Sequence, residues 1–271
     1  MGRYMSEFDR VSGKPGVPEY EVVQFVEKQH KAALVIPILN EGDRIRGQLE
    51  RLAAAHVPAD VWIADGGSTD GATETSWLAA HNVTGLMVKH GPGKLSAQLR
   101  MAMAHVVGLG YEYVVTMDGN GKDGVEGVER IVEALDAGYG FVQGSRFVPG
   151  GVAINTPPSR LYAIKFLHAP LTSFGAGTRY TDTTNGFRGH SVTLLTDSRV
   201  APFRDVFDSY ELLAYLPIRA ARLGYRVTEV PVSRSYPASG QVPTKIHGVA
   251  GSKLILSILW RAVRHVYDPQ P

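Results

Sequence analysis

Short runs of β-branched and apolar residues alternate with amphipathic helical segments through the first half of the 271-residue chain. This alternation restricts the fold strongly, because strands separated by helices of this length form a parallel sheet with helices on both faces. The first run, 33–39, is continuously apolar, as expected for a strand buried on both faces. We therefore predict an α/β fold with a mostly parallel central sheet flanked by helices. The predicted strands cover 33–39, 61–64, 86–88, 113–117 and 141–143, and the predicted helices cover 45–52, 72–81, 94–107 and 125–135.

Three of the predicted strands end in polar, glycine-containing turns. Ligands of open α/β sheets bind just beyond the carboxyl ends of the strands, and these three turns leave the same edge of the sheet. The sequence therefore predicts a binding site at that edge, formed by Asn40 and Glu41, by Asp65, Gly66 and Gly67, and by Asp118, Gly119 and Asn120.

The turn 65–70 allows two interpretations. Its glycines let a ligand approach the backbone closely, and Asp65 at the strand end can accept hydrogen bonds from a nucleotide base or a ribose. Alternatively, the segment is a tight turn in which Ser68 or Thr69 caps the following helix. The sequence by itself leaves both interpretations open.

The segment 118–123 carries the most specific chemistry. A carboxylate and an amide oxygen two residues apart, Asp118 and Asn120, can hold a hard divalent cation, which would neutralise a leaving diphosphate. Asn120 lacks a charge and Lys122 is cationic, and both features count against an ordinary metal site. One interpretation is that Lys122 contacts the diphosphate while Asp123 completes the metal shell. The alternative is a glycine-rich turn without a metal.

Composition excludes several classes of function. The chain has no cysteine, which excludes disulfides, zinc–thiolate sites and a cysteine nucleophile. The net charge of +2 gives no bulk electrostatic support for a nucleic-acid partner. The longest apolar stretch, 254–260, is far shorter than the roughly 20 residues that a membrane-spanning helix requires. We therefore expect a cytoplasmic protein that does not cross a membrane.

The ordered motifs of the first half resemble those of glycosyltransferase family 2, which has the GT-A fold. These motifs are the 37–41 segment Pro-Ile-Leu-Asn-Glu, the 65–70 turn and the strand that ends in Asp118-Gly-Asn120. The resemblance implies that the first two motifs hold a nucleoside and that the third, an Asp-x-Asp element in the family, holds the diphosphate with Mg²⁺ or Mn²⁺. The residues so assigned to the nucleotide sugar are Pro37, Asn40, Glu41, Asp65, Gly67, Lys94, Asp118, Gly119 and Asn120, and those assigned to the metal are Asp118, Asn120 and Asp123.

Three motifs of the second half, 144–151, 182–188 and 219–231, resemble the polyprenyl-phosphate branch of this family, which includes dolichyl-phosphate mannose synthase. The resemblance implies an inverting, metal-assisted transfer of a sugar from a UDP- or GDP-linked donor to a polyprenyl-phosphate-like acceptor. Asn120, Lys122 and the segment 236–248 depart from the pattern of that branch. These departures indicate a side branch with its own substrate.

Basic residues suit a phosphate on the acceptor, because arginine binds phosphate oxygens in bidentate fashion. The residues assigned to this role are Lys122, Arg146, Arg188, Arg234, Lys245 and His247. A phosphate acceptor needs little help from a base, whereas a hydroxyl acceptor needs one. The candidate base is Glu211, with Asp182 and Asp208 as rivals. Two other functions stay open: transfer to a soluble acceptor such as a secondary metabolite or a nucleoside, and non-catalytic binding of a nucleotide sugar.

We expect one catalytic domain over 31–248, divided into a nucleotide-sugar half, 31–145, and an acceptor half, 146–248. Residues 1–30 are expected to form a partly mobile extension. Residues 249–271 are expected to form an amphipathic helix that either packs on the core or contacts an anionic membrane from its inner face. Nothing in the sequence indicates an oligomeric state.

Overall fold

The computed structural model describes residues 8–238 and 248–270. Its strands are β1 (Asp9–Val11), β2 (Tyr20–Gln24), β3 (Ala32–Ile38), β4 (Asp60–Asp65), β5 (Val83–Lys89), β6 (Tyr113–Thr116), β7 (Phe141–Ser145), β8 (Val152–Ile154), β9 (Arg188–Ser191), β10 (Val227–Pro231) and β11 (Ser233–Ser235). Its helices are α1 (Asp43–Ala55), α2 (Thr75–Ala80), α3 (Leu95–Gly108), α4 (Gly127–Asp136), α5 (Pro158–Ala163), α6 (Ala169–Ala176), α7 (Val192–Thr196), α8 (Glu211–Arg222) and α9 (Gly248–Val263). A π-helical turn, Ile164–His168, joins α5 to α6.

The central sheet has the strand order β1-β2-β5-β4-β3-β6-β9-β7-β10. Within it, β2 and β9 run antiparallel to both of their neighbours, and the remaining strands share one direction. The predicted α/β fold with a mostly parallel sheet is therefore confirmed. β8 and β11 form a separate parallel pair.

Helices cover both faces of the sheet, which explains the apolar character of its central strands. Along β3, Ala33 and Val35 belong to the core that contains residues of α3 and α8, whereas Leu34 and Ile36 belong to the core that contains residues of α1 and α4. All four side chains are fully buried. Burial on both faces removes the polar–apolar alternation that a strand with one solvent-facing side would show.

β2 belongs to the sheet, although the sequence predicted that residues 1–30 form a partly mobile extension. It pairs antiparallel with β5. Tyr20 at its start is fully buried, and its hydroxyl is hydrogen-bonded to His105 Nδ1 at 2.9 Å. The sequence did not indicate this strand, because five residues next to glycine- and proline-rich sequence carry too little periodicity.

β9 lies between β6 and β7 and was also missed from the sequence. Its residues, Arg-Gly-His-Ser, do not show the apolar pattern of a buried strand. The loop that precedes it lies against the carboxyl end of β6, where Thr116 Oγ1 donates to the Gly186 carbonyl at 2.8 Å. The position of β9 therefore brings the 182–188 motif beside Asp118.

α9 packs against α6 and α8. Ile258, Leu259 and Val263 are buried in the core that they share with α8, whereas Leu254 and Trp260 are exposed. The structure thus supports packing of one helix face on the core. None of the described helices is both long enough and apolar enough to span a membrane.

Candidate active site

Hydrogen bonds between side chains and backbone join the first two predicted turns. The Asn40 N–H donates to Ser68 Oγ at 2.9 Å, and the Thr69 N–H donates to Asn40 Oδ1 at 2.8 Å. In the register of β3 and β4, Ile38 pairs with Asp65. The two turns therefore leave adjacent strand ends, as the sequence predicted.

Asp65 stabilises its own turn. Both of its carboxylate oxygens accept a hydrogen bond from the Ser68 N–H at 3.0 Å, and Gly67 adopts a φ of +97° that suits glycine. The tight-turn interpretation of 65–70 is therefore confirmed. The predicted helix cap was wrong, because α2 begins only at Thr75 and is capped by Glu74. Contact between Asp65 and a nucleoside stays a prediction.

Glu41 and Lys94 were both predicted to contact the nucleotide sugar. Glu41 follows β3, and its carboxylate accepts from Arg44 Nε at 2.9 Å. Lys94 is exposed at the start of α3, where its N–H donates to the Asp208 carbonyl at 2.8 Å. Their contacts with a donor stay predictions.

β6 ends against β3 so closely that position 119 has no room for a side chain. A Cβ on Gly119 would clash with the Ile38 side chain and would lie 3.1 Å from the Pro37 carbonyl oxygen. The Met117 N–H also donates to the Val35 carbonyl at 3.1 Å. This packing places Asp118 beside the end of β3, so the third turn joins the first two at one edge of the sheet.

Gln98 on α3 fixes the ends of β3 and β4 and was not singled out from the sequence. Its Nε2 donates to the carbonyl oxygens of Ile38, at 2.9 Å, and Ala64. The side chain is buried. A glutamine on the buried face of a helix is itself the signal, because a buried amide requires hydrogen-bond partners.

A buried arginine joins the two carboxylates of the 118–123 segment. Arg234 donates from Nη1 to both oxygens of Asp123, at 2.8 and 2.6 Å, and from Nη2 to Asp118 Oδ2 at 2.9 Å. The Arg234 and Asp123 side chains are 6% and 0% exposed, whereas that of Asp118 is 28% exposed. Arg234 was predicted to bind the acceptor and Asp123 to bind a metal. Both Asp123 oxygens are engaged by Arg234, so Asp123 does not complete a metal shell in this structure. Contact of Arg234 with a phosphate stays a prediction.

Arg234 and Asp118 hold each other in the charged form. Burial would lower the pKa of Arg234, but the carboxylates of Asp123 and Asp118 outweigh it and hold that pKa well above its ordinary value. Burial would raise the pKa of Asp118, but Arg234 outweighs it and keeps the pKa below its usual range. Burial raises the pKa of Asp123 to about 6, while Arg234 acts in the opposite direction.

The residues predicted to bind Mg²⁺ or Mn²⁺ do not form a metal-binding set. Both Asp123 oxygens and one Asp118 oxygen accept from Arg234, and Asn120 directs its Nδ2 towards Asp118 Oδ2 at 3.4 Å. These cations prefer several free carboxylate, carbonyl or water oxygens. Among the residues that the structure describes, no group of three or more His, Cys, Asp or Glu side chains could hold a metal ion.

Three positively charged side chains surround Tyr236, next to this network. Arg160 donates to the Tyr236 hydroxyl at 2.9 Å, and Lys122 Nζ and Arg234 Cζ lie 5.1 and 5.9 Å from the ring centroid. Burial would raise the pKa of Tyr236, but Arg234 and Arg160 outweigh it and lower the pKa. Clustered Lys and Arg side chains of this kind suit an anionic ligand such as phosphate. Tyr236 was missed as a site residue, although the segment 236–248 was noted as a departure from the family pattern.

Asp182 is fully enclosed by its ion pair with Arg146. Arg146 donates from Nε and Nη2 to the two Asp182 oxygens at 2.6 and 2.8 Å, and the side chains are 1% and 0% exposed. Both Asp182 oxygens accept from Arg146, so this geometry gives no support to the predicted catalytic role of Asp182. Arg146 Nη1, in contrast, is buried without a hydrogen-bond partner in the described part of the chain.

Arg188 forms hydrogen bonds that stabilise the fold. Its guanidinium donates to the backbone carbonyls of Asn185, Thr183 and Leu213 at 3.0, 2.8 and 2.6 Å. The side chain is 1% exposed. The predicted contact with the acceptor was therefore wrong, and Arg188 instead links the 182–188 motif to the first turn of α8.

Four predicted residues remain. Glu211 is half-buried at the start of α8, where its carboxylate accepts from the Ser209 N–H at 2.6 Å, and Asp208 is exposed nearby. Either of them stays a candidate base. Lys245 and His247 lie outside the described residues, so their predicted contacts with an acceptor are not tested.

Comparison with known proteins identifies the family of the chain. Residues 33–205 match the family model for glycosyl transferase family 2. The chain is 30% identical over 207 residues to the undecaprenyl-phosphate mannosyltransferase of Micrococcus luteus, a match that covers 73% of this chain and 81% of that protein. It is 28% identical over 211 residues to the polyprenol monophosphomannose synthase of Mycolicibacterium smegmatis, with 77% and 78% covered.

A solved structure gives independent support for the fold. The glucosyl-3-phosphoglycerate synthase of Mycobacterium tuberculosis, in complex with Mn²⁺, UDP and phosphoglyceric acid, matches with a TM-score of 0.62 at 16% identity and covers 88% of this chain and 79% of that one. At this identity the likeness shows the fold alone, and it confirms the predicted GT-A architecture. The family model and the mannosyltransferase relative show the class of activity. The chain is a glycosyltransferase and belongs to glycosyl transferase family 2.

Proposed function

We propose that this glycosyltransferase moves a sugar, with inversion, from a UDP- or GDP-linked donor to a phosphate-bearing acceptor of the polyprenyl-phosphate type. One observation carries the proposal. Asp118 stands at the carboxyl end of β6 beside a cluster of buried Lys122, buried Arg234 and half-buried Arg160 around Tyr236. Such a cluster, at the edge where α/β sheets bind ligands, suits the phosphates of a donor and an acceptor.

The reaction is a single displacement at the anomeric carbon. An acceptor oxygen attacks from the face opposite the diphosphate, and the bond to the β-phosphate oxygen breaks with its electron pair on the leaving nucleoside diphosphate. The negative charge that develops there is stabilised by fixed positive groups. Mg²⁺ or Mn²⁺ takes no step in this mechanism, because Arg234 already binds the carboxylates that would hold it.

A phosphate on the acceptor accounts for two buried donors that lack partners. Arg146 Nη1 and Asn185 Nδ2 have no hydrogen-bond partner among the residues that the structure describes. Buried donors without partners are costly unless a ligand satisfies them. An ionised phosphate also needs no general base, which agrees with the enclosure of Asp182. The relatives' names include undecaprenyl phosphate and polyprenol.

Exposed aromatic side chains on the α5–α6 segment support a lipid-linked acceptor. Tyr162, Phe166 and Phe174 are 64%, 72% and 73% exposed, and Lys165 lies among them. Aromatic and basic side chains together favour the surface of an anionic membrane. Peripheral contact of this segment with the inner face of a membrane is part of the proposal.

The test is a detergent-free assay with the full chain, UDP- and GDP-sugars, and three acceptors. Polyprenyl phosphate in vesicles is expected to accept sugar, the matching dephosphorylated polyprenol is not, and the product is expected to have the inverted anomeric configuration by NMR. A soluble phosphate such as phosphoglyceric acid is the third acceptor, because the structural neighbour was solved in complex with it. Transfer to the polyprenol or to soluble alcohols at the rate seen with phosphates would contradict the proposal.

Gly186 provides a geometric test of the role of Asp118. A Cβ at position 186 would clash with Asp118 Oδ1, so Gly186→Ala is expected to displace this carboxylate and to slow transfer on the order of 10²-fold. Gly108→Ala is the control, because no atom lies within 4 Å of a Cβ built there. Initial transfer rates and thermal unfolding midpoints are measured for both variants. Unchanged transfer by a folded Gly186→Ala protein would show that the position of Asp118 is not important.

A further inference from the structure

A guanidinium lies between the two carboxylates of the 118–123 segment. Arg234 bonds to both oxygens of Asp123 and to Oδ2 of Asp118, with distances of 2.6 to 2.9 Å. The Arg234 side chain is 6% exposed and that of Asp123 is fully buried. The space between these carboxylates is thus already filled by a positively charged group of the protein.

The local charges leave no negative excess for a divalent ion. The two negative charges of Asp118 and Asp123 are outnumbered by the three positive charges of Arg234, Lys122 and Arg160 around Tyr236. Lys122 is 7% exposed, and its Nζ lies 5.1 Å from the Tyr236 ring centroid, the same ring that Arg234 faces at 5.9 Å. A divalent cation in this space would be repelled by both protein cations at short range.

The third predicted ligand gives a metal little support. Asn120 is neutral, and its Oδ1 accepts from the Lys122 N–H at 3.3 Å while its Nδ2 points towards Asp118. The side chain therefore stabilises the turn that carries Lys122. An incoming diphosphate, in contrast, would meet two fixed cations supported by Asp118, Asn120 and Tyr236.

We propose that Lys122 and Arg234 take the place of the divalent cation, so that this chain binds the donor diphosphate and transfers the sugar without a metal. This inference rests on the proposed function. In the transfer step the two cations stabilise the electron pair that stays on the leaving diphosphate, as a metal otherwise does. Tyr236 and the two carboxylates act as positioning residues for these cations.

The primary test is calorimetric titration of the full chain with UDP, GDP and the corresponding nucleosides, in EDTA and in Mn²⁺ or Mg²⁺. The dissociation constant of the preferred diphosphate is expected to change less than about threefold between EDTA and metal. Binding that is lost in EDTA and restored by Mn²⁺ would overturn the inference. Absence of binding by either diphosphate under every condition would instead overturn the proposed function itself, and with it this inference.

The variant Lys122→Gln tests whether Lys122 contacts the diphosphate or only stabilises the structure. It is expected to weaken diphosphate binding in EDTA about tenfold and to leave nucleoside binding unchanged. Lys31→Gln is the matched control, because Lys31 is exposed at the amino end of β3, away from the strand ends of the site. Equal weakening of diphosphate and nucleoside, or a lowered unfolding midpoint that accounts for the loss, would show that Lys122 is only structural.

The double variant Asn120→Asp/Lys122→Gln reverses the local charge. It removes one cation and adds one carboxylate, so diphosphate binding in EDTA is expected to fall and Mn²⁺ is expected to restore it at least fivefold. Electron paramagnetic resonance of Mn²⁺ provides a readout independent of activity, with bound Mn²⁺ expected for the double variant and not for the parent chain. Stoichiometric Mn²⁺ binding by the parent chain with diphosphate would contradict the proposal.

Discussion

Replacing Asp182 with alanine is expected to lower the free energy of unfolding by about 3–5 kcal/mol, because it leaves the Arg146 guanidinium buried without its counter-ion. The pair is fully enclosed, so water does not replace the lost carboxylate. Chemical denaturation followed by circular dichroism measures the change.

Two further variants make this prediction specific. Arg146→Met/Asp182→Leu removes both charges and is expected to recover most of the lost stability, since replacing a buried pair with apolar groups is often neutral. Asp136→Ala breaks an ion pair whose side chains are 46% and 40% exposed and is expected to cost less than about 1 kcal/mol. If Asp182→Ala costs no more than Asp136→Ala, the Arg146 pair does not stabilise the fold as described.

Replacing Asp118 with asparagine is expected to slow sugar transfer on the order of 10²-fold or more, while the protein stays folded. The change removes the carboxylate charge that holds Arg234 Nη2 at the strand end. The Arg234 guanidinium is then no longer fixed at the place where negative charge develops on the leaving diphosphate. The loss is expected mainly in kcat. Steady-state kinetics with varied donor separates this effect from a loss of binding.

Asp43→Asn is the matched control, because Asp43 is an exposed aspartate in the first turn of the nearby α1. It is expected to transfer sugar at the parent rate. Transfer by Asp118→Asn at the rate of the Asp43→Asn control would refute the site described for this enzyme.

Much of the nucleotide-sugar half could be predicted from the sequence. The apolar runs at β3, β4 and β6 and the polar residues that follow them identified the edge of the sheet at which Asn40, Asp65 and Asp118 meet. This prediction succeeded because buried parallel strands have a strong local signal and because their carboxyl ends necessarily share an edge.

The acceptor half was predicted less well, because its side chains are paired across long stretches of sequence. Arg234 and Asp123 are 111 residues apart, and Arg146 and Asp182 are 36 residues apart. Spacing along the chain does not indicate which arginine is neutralised by a buried carboxylate and which is open to a phosphate. The sequence therefore assigned Arg188, Arg234 and Arg146 to one role, and the structure separates them.

The sequence by itself determined the class of fold, the family and the strand ends that form the site, because hydrophobic periodicity and short motifs are local properties of the chain. Only the tertiary structure decided what the charged residues at that site do. The energy of a buried charge depends on which partner lies within hydrogen-bond distance, and folding alone brings Arg234 between Asp118 and Asp123.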